Sequence, residues 1–202
     1  HSSIWINGTK FVYFDPYNIQ ETKNDAYFLF ITHDHYDHFD IGSIKKVINS
    51  NTIIIMPEVM KNNNKIEEIE IDKSKVVFVA SNQKYNLDGI SFETIPSYNI
   101  NKDFHPKEKE YVGYILYMDD NSYYVAGDSD VTEENRNIDV DVALIPIGGT
   151  YTMDKVEAAT LINLIKPQVV IPTHYGTVVG NKTDGEDFKA LVNSDIICEL
   201  LI

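Results

Sequence analysis

The feature that most constrains this chain is a cluster of histidines directly after an apolar, β-rich segment at residues 27–31. Three of the six histidines fall in the run Thr32-His33-Asp34-His35-Tyr36-Asp37-His38. Side chains two residues apart on an extended chain point to the same side, so His33 and His35 can reach one point in space. Asp37 and His38 follow at the predicted turn into a helix and can reach a second point. Imidazole and carboxylate are ligands of Zn²⁺, with Mn²⁺ and Fe²⁺ as rivals, so the cluster predicts a metal site.

Most other apolar segments of the chain have the length of strands and are separated by turn residues. The predicted strands are Ile4–Ile6, Phe11–Phe14, Tyr27–Ile31, Thr52–Met56, Val76–Val79, Lys84–Leu87, Ile90–Ile95, Gly113–Met118, Ser122–Ala126, Val142–Ile147 and Gln168–Ile171. The dipeptide Asp88-Gly89 indicates a hairpin. Helices are predicted over residues 41–48, 154–165 and 185–192. Strands dominate first and then alternate with helices, which predicts two sheets flanked by helices in one layered α/β domain of residues 1–202.

Charge and composition exclude several classes of partner. Asp and Glu number 31 against 17 Lys and Arg, which gives a net charge of −14. Such a surface repels phosphate backbones over a Debye length of about 8 Å, so we expect no nucleic-acid partner. No apolar run approaches the length of a membrane span. The single cysteine, Cys198, cannot form an internal disulfide, and without a secretory signal the chain is expected in the cytoplasm. The first residues, His1-Ser2-Ser3, look like the remnant of an added tag and are set aside.

Three further motifs follow predicted strands in a recognisable order. They are Phe14-Asp15-Pro16, Ala126-Gly127-Asp128-Ser129 and Pro172-Thr173-His174-Tyr175-Gly176. Taken alone, Asp15 suits a turn, Asp128 a loop or cap, and His174 a surface position. Together with the signature His-x-His-x-Asp-His they resemble the metallo-β-lactamase fold superfamily, and the resemblance runs through essentially the whole chain.

The resemblance implies a fold and a ligand set. The fold is a four-layer αββα sandwich of two mixed β-sheets flanked by helices. His33 and His35 resemble ligands of a first metal ion, while Asp37, His38 and His174 resemble ligands of a second, with Asp128 bridging. Asp15 would brace the metal loop. One or two Zn²⁺ ions, with Mn or Fe as alternatives, would make hydroxide available at neutral pH. Asp37 and Asp128 would then orient it and take up protons, or act through charge alone.

One position departs from the family pattern. A histidine is expected near Ile95-Pro96-Ser97-Tyr98-Asn99, and Asn99 stands in its place, as a candidate contact of metal or substrate. The remaining histidine, His105, can serve as a substitute ligand, can contact substrate, or can be a loop residue stiffened by Pro106. The sequence therefore leaves the ligand set of the first metal site undecided, and a mononuclear or unevenly loaded centre is compatible with it.

A glycine-containing loop opens the second predicted helix, in the run Pro146-Ile147-Gly148-Gly149-Thr150-Tyr151-Thr152-Met153-Asp154. Its glycines allow close approach of a ligand, and a helix N-terminus favours an anion. Tyr151 could bind an oxyanion or a phosphate oxygen, or could simply pack. Tyr175, next to His174, has the same two alternatives.

The motif combination resembles a branch of metal-dependent hydrolases similar to L-ascorbate-6-phosphate lactonase. This implies hydrolysis of a small, anionic substrate through a phosphoester, lactone or amide bond. A nuclease of the same fold would need a basic exosite, which a chain with one arginine, Arg136, does not offer. A non-catalytic metal-binding module is the third alternative, and the sequence leaves a homo-oligomer open.

Overall fold

The computed structural model describes residues 1–201. Its described residues form two compact units, 2–80 and 81–201 with His1, named below the N-terminal and the C-terminal unit. Each unit holds one β-sheet, of five and seven strands respectively. Both sheets mix parallel and antiparallel pairs, so the predicted two mixed sheets with helices are confirmed. That residues 1–202 form a single domain stays a prediction.

The sheet of the N-terminal unit follows the order of the chain. Its strands are β1 (Ile4–Asn7), β2 (Phe11–Phe14), β3 (Phe28–Phe30), β4 (Ile53–Pro57) and β5 (Val76–Val79). Only β1 and β2 pair antiparallel, and the later pairs are parallel. Helix α1 (Ile41–Val47) begins at Asp40, whose side chain accepts a hydrogen bond from the backbone of Gly42. Because β2 and β3 are parallel, the residues that follow Phe14 and Phe30 emerge at the same edge of the sheet.

Most of the polar run 61–64 belongs to two short 3-10 helices, which span Glu58–Asn62 and Asn64–Ile69. Met60 and Ile69 are buried against the core of the N-terminal unit. The apolar residues around the asparagines therefore draw this stretch onto the unit, which a count of polar residues does not reveal.

The C-terminal unit combines an antiparallel and a parallel half. Its strands are β6 (Lys84–Leu87), β7 (Ile90–Pro96), β8 (Val112–Met118), β9 (Asn121–Val125), β10 (Val142–Pro146), β11 (Val169–Thr173) and β12 (Ile197–Cys198). Strands β6 to β9 pair antiparallel, and Asp88-Gly89 turns the hairpin of β6 and β7, as predicted. Strands β9 to β12 are parallel. The two-residue β12 was not predicted, because so short a strand carries no periodic pattern.

Two helices complete the C-terminal unit, α2 (Lys155–Ile165) and α3 (Asp184–Leu191). Helix α2 begins at the predicted capping box of Asp154 and Glu157, and its buried face joins the core that includes Leu161 and Ile162. Within residues 1–201, no helix has both the length and the apolar character needed to cross a membrane.

Strand direction places the chemistry-bearing residues of this unit. Strands β7, β9, β10 and β11 all run the same way, because β7 and β9 are each antiparallel to β8 and the others are parallel to β9. Their carboxyl ends share one edge, where ligands bind in sheets of this kind. Asn99, Asp128 and His174 follow three of these ends.

Candidate metal centre

The first group of metal-binding side chains lies at the carboxyl ends of β2 and β3, and Asp15 organises it. Asp15 Oδ1 accepts a hydrogen bond from the Thr32 backbone N–H at 2.8 Å, and its Oδ2 accepts one from the Thr32 hydroxyl at 2.6 Å. The same Oδ2 lies 2.7 Å from His38 Nδ1. Asp15 has a φ of +43°, a left-handed conformation that is costly outside glycine. Asp15 thus holds both Thr32 and His38, as its predicted role of supporting the histidine loop requires.

The contact with Asp15 also sets the orientation of His38. Both side chains are buried. Burial raises the pKa of the Asp15 carboxyl, whereas His38 and the hydrogen bonds of Thr32 act in the opposite direction. A carboxylate beside Nδ1 holds the imidazole proton on that atom and leaves the lone pair on Nε2 for a metal.

His33 and His35 present two ring nitrogens to one point. His33 Nε2 lies 3.1 Å from His35 Nδ1, and Thr32 Oγ1 contacts His33 Nδ1 at 2.9 Å. Two nitrogens at this separation that each bind one ion at about 2.0–2.1 Å subtend an angle of roughly 100°, which suits tetrahedral and octahedral coordination. The residues present therefore fit a metal ion on geometric grounds.

The other predicted ligands of this unit lie beside them. The His33 and His38 rings are 4.0 Å apart between centroids, and Asp37 Oδ2 lies 3.8 Å from His38 Nε2. The structure thus brings together the four side chains predicted from the motif: His33, His35, Asp37 and His38. We name them, with Asp15, the N-terminal donor group.

The second group of donors surrounds Asp128, which follows β9. His174 Nε2 lies 3.2 Å and His105 Nε2 3.5 Å from Asp128 Oδ2. All three side chains are buried. One oxygen of Asp128 therefore lies close to a ring nitrogen of each histidine. We name His105, Asp128 and His174 the C-terminal donor group.

Asn99 is turned away from this carboxylate. Its Oδ1 lies 3.1 Å from His105 Nδ1, and its Nδ2 donates to the Tyr151 carbonyl at 2.9 Å and to Asp130 Oδ1 at 3.3 Å. The backbone N–H of Asn99 donates to the carbonyl of His105 at 2.7 Å. Among the alternatives left by the sequence, this geometry favours His105 over Asn99 as the ligand.

His174 adopts an unusual backbone conformation and is closely packed. Its φ is +55°. A Cβ on Gly148 would collide with the His174 carbonyl, so glycine is needed there for the two segments to approach. His1, which sequence reasoning set aside, lies against His174: its carbonyl accepts the His174 N–H at 3.3 Å, and the rings are 4.1 Å apart. In the sequence, the only sign of this contact is that residue 1 is a histidine.

The two tyrosines singled out from the sequence lie in different surroundings. Tyr175 is 2% exposed and belongs to the apolar core, where a Cβ on Gly185 would collide with its hydroxyl. Packing, not substrate contact, is therefore the alternative that the structure favours for Tyr175. Tyr151 is half-buried, and its ring meets Phe104 edge-on at 4.5 Å. Phe104 is 50% exposed.

The N-terminus of α2 differs from the expectation that it receives an anion. Asp154 Oδ1 accepts the backbone N–H groups of both Val156 and Glu157, each at 2.8 Å. The Glu157 side chain accepts the N–H of Asp154 in return. The capping box therefore already uses the donors that an anion would need.

Comparisons with known proteins agree with this geometry. The family described as the Beta-lactamase superfamily domain matches residues 1–174. A UPF0173 metal-dependent hydrolase of Pyrococcus horikoshii is 30% identical over 95% of this chain and 89% of its own length. The chain belongs to the metallo-β-lactamase superfamily. Within it, the chain belongs to the UPF0173 metal-dependent hydrolases, so it is an enzyme that needs a metal ion. The match to the family begins at residue 1 and so includes residues 1–3, which were set aside above.

Solved structures support the same fold. A provisionally assigned metal-dependent hydrolase from Parabacteroides distasonis is 27% identical, covers 99% of this chain and 89% of its own, and superposes with a TM-score of 0.79. The metallo hydrolase Igni18 of Ignicoccus hospitalis is 23% identical, with 100% and 91% coverage and a TM-score of 0.80, and shows the fold alone. The metallo-β-lactamase fold predicted from the sequence is thereby confirmed.

Proposed function

We propose that this chain hydrolyses a small anionic substrate with Zn²⁺ as its metal, through a phosphoester, lactone or amide bond. The observation that carries the metal part is the 3.1 Å separation of His33 Nε2 and His35 Nδ1 beside a buried, braced His38. The histidines of both donor groups, together with Asp37 and Asp128, are among the side chains that could hold a metal ion. The names of the relatives support hydrolysis and metal dependence, and the choice of zinc rests on the nitrogen-rich ligands.

Each donor group is proposed to supply ligands, as the family resemblance implies. The resemblance implies that His33 and His35 would hold one ion, with His105 in place of the family's missing histidine. It implies that Asp37, His38 and His174 would hold a second ion and that Asp128 would be a further ligand.

A bound metal ion lowers the pKa of coordinated water from 15.7 toward about 7 and polarises the oxygen of the scissile group. The chain itself supplies orientation and a place for protons. By the same resemblance, Asp37 and Asp128 would orient the attacking water by hydrogen bonds and take up its proton, since carboxylate oxygens accept in both roles. Asp15 accepts from Nδ1 of His38 and so leaves Nε2 of that ring for a metal ion.

Tyr151 and Phe104 are proposed to form one wall of the substrate site. Phe104 directly precedes the buried His105, and Tyr151 is tied through its carbonyl to Asn99. An edge-on aromatic pair with an exposed member offers an apolar face to part of a substrate. The hydroxyl of Tyr151 can donate to an anionic oxygen of that substrate.

The metal part of the proposal is tested by elemental analysis of protein purified without chelator. We expect about two metal ions per wild-type chain and a fall toward one in His105→Ala. Lys107→Ala is the matched control, because Lys107 lies in the same loop and pairs with Glu134 at the surface. Wild-type protein that holds no transition metal, and regains none from added Zn²⁺ or Mn²⁺, contradicts the proposal.

The hydrolytic part is tested on a panel of aryl phosphoesters, lactones, amides and a short RNA. We expect chelator-treated protein to lose turnover and to recover it with Zn²⁺, and we expect no cleavage of RNA because of the net charge of −14. Full metal loading without turnover of any member would instead support a non-catalytic metal-binding module. The cytoplasmic location and the oligomeric state stay predictions.

A further inference from the structure

We infer that Asn99 and Asp130 are positioning residues that decide which ring nitrogen of His105 carries the proton. The inference rests on the proposed function, because the lone pair of His105 matters only if His105 binds a metal. Sequence reasoning offered Asn99 as a replacement ligand and assigned no role to Asp130.

The orientation of the Asn99 side chain follows from its three neighbours. Two of them, the Tyr151 carbonyl and the Asp130 carboxylate, can only accept hydrogen bonds. The amide NH₂ must therefore face these two, at 2.9 and 3.3 Å, and a flipped amide would place its oxygen against both acceptors. The amide oxygen is left to face His105 Nδ1, at 3.1 Å.

This orientation selects one tautomer of His105. A neutral imidazole has one N–H, and the amide oxygen of Asn99 can only accept, so Nδ1 must be the nitrogen that carries the hydrogen. The lone pair is then on Nε2, the nitrogen that lies 3.5 Å from Asp128. Metal-binding histidines usually have such an acceptor on the ring nitrogen away from the metal, and its loss weakens metal binding.

Asp130 is itself held in place by two donors besides Asn99. Lys102 Nζ donates to its Oδ1 at 2.5 Å, and the backbone N–H of Ile100 donates to its Oδ2 at 2.9 Å. Asp130 is buried. A fixed, charged acceptor in this position prevents the Asn99 amide from flipping, so the orientation of His105 depends on a residue that it does not touch.

The experiment compares Asn99→Ala with Asn99→Asp. The alanine removes the acceptor that faces His105 Nδ1, whereas the aspartate keeps an oxygen at that position, at the cost of a second oxygen that faces the Tyr151 carbonyl and Asp130. We expect metal affinity to fall roughly 10- to 100-fold in Asn99→Ala and by less in Asn99→Asp. Asp130→Ala removes one of the two acceptors that hold the Asn99 amide, so its loss should also be smaller than that of Asn99→Ala.

The direct readout is the ¹⁵N spectrum of the imidazoles in metal-free protein, at a pH where histidine is neutral. His105, assigned by comparison with His105→Gln, should show the Nδ1–H tautomer in wild type and a shift toward the Nε2–H tautomer in Asn99→Ala. Asn101→Ala, an exposed change in the same loop, is the control. Circular dichroism establishes that each variant is folded, and Asp130→Ala, which frees the Asn99 amide to flip, serves where Asn99→Ala does not fold.

An unchanged tautomer in Asn99→Ala, or a shift in Asn99→Asp as large as that in Asn99→Ala, overturns the inference. A shifted tautomer in a protein that binds no metal supports the inference and contradicts the proposed function instead, because the spectrum is recorded without metal.

Discussion

Nδ1 of His38 lies 2.7 Å from Oδ2 of Asp15, although the two residues are 23 positions apart in the chain. The contact exists because β2 and β3 are parallel neighbours whose carboxyl ends meet, with Phe14 paired to Phe30. Asp15 also holds the Thr32 backbone and hydroxyl. One carboxylate thus fixes both the start of the histidine loop and the ring of its last histidine.

Replacing Asp15 with asparagine should weaken metal binding more than it destabilises the fold. The new amide can still accept from the Thr32 N–H, but its NH₂ faces His38 Nδ1, which drives the imidazole proton to Nε2 and removes the lone pair meant for metal. We expect metal affinity to fall roughly 10- to 100-fold and the free energy of unfolding to fall by about 1–3 kcal/mol. Calorimetric metal titration and urea denaturation measure the two effects.

Asp25→Asn is the matched control for that prediction. Asp25 accepts the Tyr13 hydroxyl at 2.7 Å in the same unit and does not belong to either donor group. It should leave metal affinity unchanged. Equal affinity in Asp15→Asn and wild type would show that the brace does not orient His38.

Glycine 148 should be required for the position of His174. In Gly148→Ala the new Cβ collides with the His174 carbonyl, so one of the two segments must shift. We expect a loss of about 1–3 kcal/mol in the free energy of unfolding and weaker metal binding. The control is Gly42→Ala in α1, where the Cβ meets only Asp40 Oδ1 at 3.4 Å. That change should stabilise the chain by about 0.5–1 kcal/mol. A Gly148→Ala protein as stable as wild type would contradict the packing described.

The elements that the sequence could predict are those with a local signal. Asp40 and Asp154 mark helix starts, since capping needs only neighbouring residues, and both cap the helices observed. The hairpin at Asp88-Gly89 has the same local origin. Strand-end placement likewise led from the motifs to Asp128 and His174, because parallel strands bring their carboxyl ends to one edge.

The parts that could not be predicted depend on contacts between distant loops. His105 reaches Asp128 because the segment after β7 folds back, with its backbone bonded to Asn99, and no periodicity in the sequence encodes that return. The role of Asp130 depends on Lys102 and Asn99, each about 30 positions away. Tyr175 has the residue type of a substrate contact, yet its packing against Gly185 is a tertiary property.

Phe104 and Tyr151 should govern substrate preference without affecting the metal. If they form a wall of the site, Phe104→Ala should raise KM about 10-fold for substrates with an aryl group, since truncating a half-exposed aromatic removes about 1–1.5 kcal/mol of contact. The effect on kcat and on metal content should be small. Tyr151→Phe keeps the ring pair and removes only the hydroxyl, so it separates aromatic contact from hydrogen bonding. Steady-state kinetics with matched aryl and methyl substrates measures the difference, and an equal change for both substrates would argue against the wall.

Acid should weaken the link between α2 and α3 at Asp184. Its Oδ2 accepts the Asn181 N–H at 2.6 Å and its Oδ1 accepts Lys155 Nζ at 2.9 Å. The bond from Asn181, followed by that from Lys155, lowers the pKa of Asp184, while the carboxylates of Asp187 and Asp184 raise the pKa of Lys155 to about 12. A carboxyl group with a lowered pKa in the folded state stabilises that state above its ordinary pKa of about 3.9. This stabilisation is lost as the pH falls through the lowered value.

Asp184→Asn should therefore lower the free energy of unfolding at pH 7 by about 0.5–1 kcal/mol, a figure already reduced for solvent screening. The difference from wild type should shrink as the pH drops below about 4, because the wild-type carboxyl then protonates as well. Asp187→Asn is the control: it removes a partner of Lys155 on the same helix but leaves the Asn181 bond in place, so its effect at pH 7 should be smaller. Urea denaturation at a series of pH values between 7 and 3 measures both variants. A difference between Asp184→Asn and wild type that stays constant over this range would show that the carboxylate charge contributes nothing to the link.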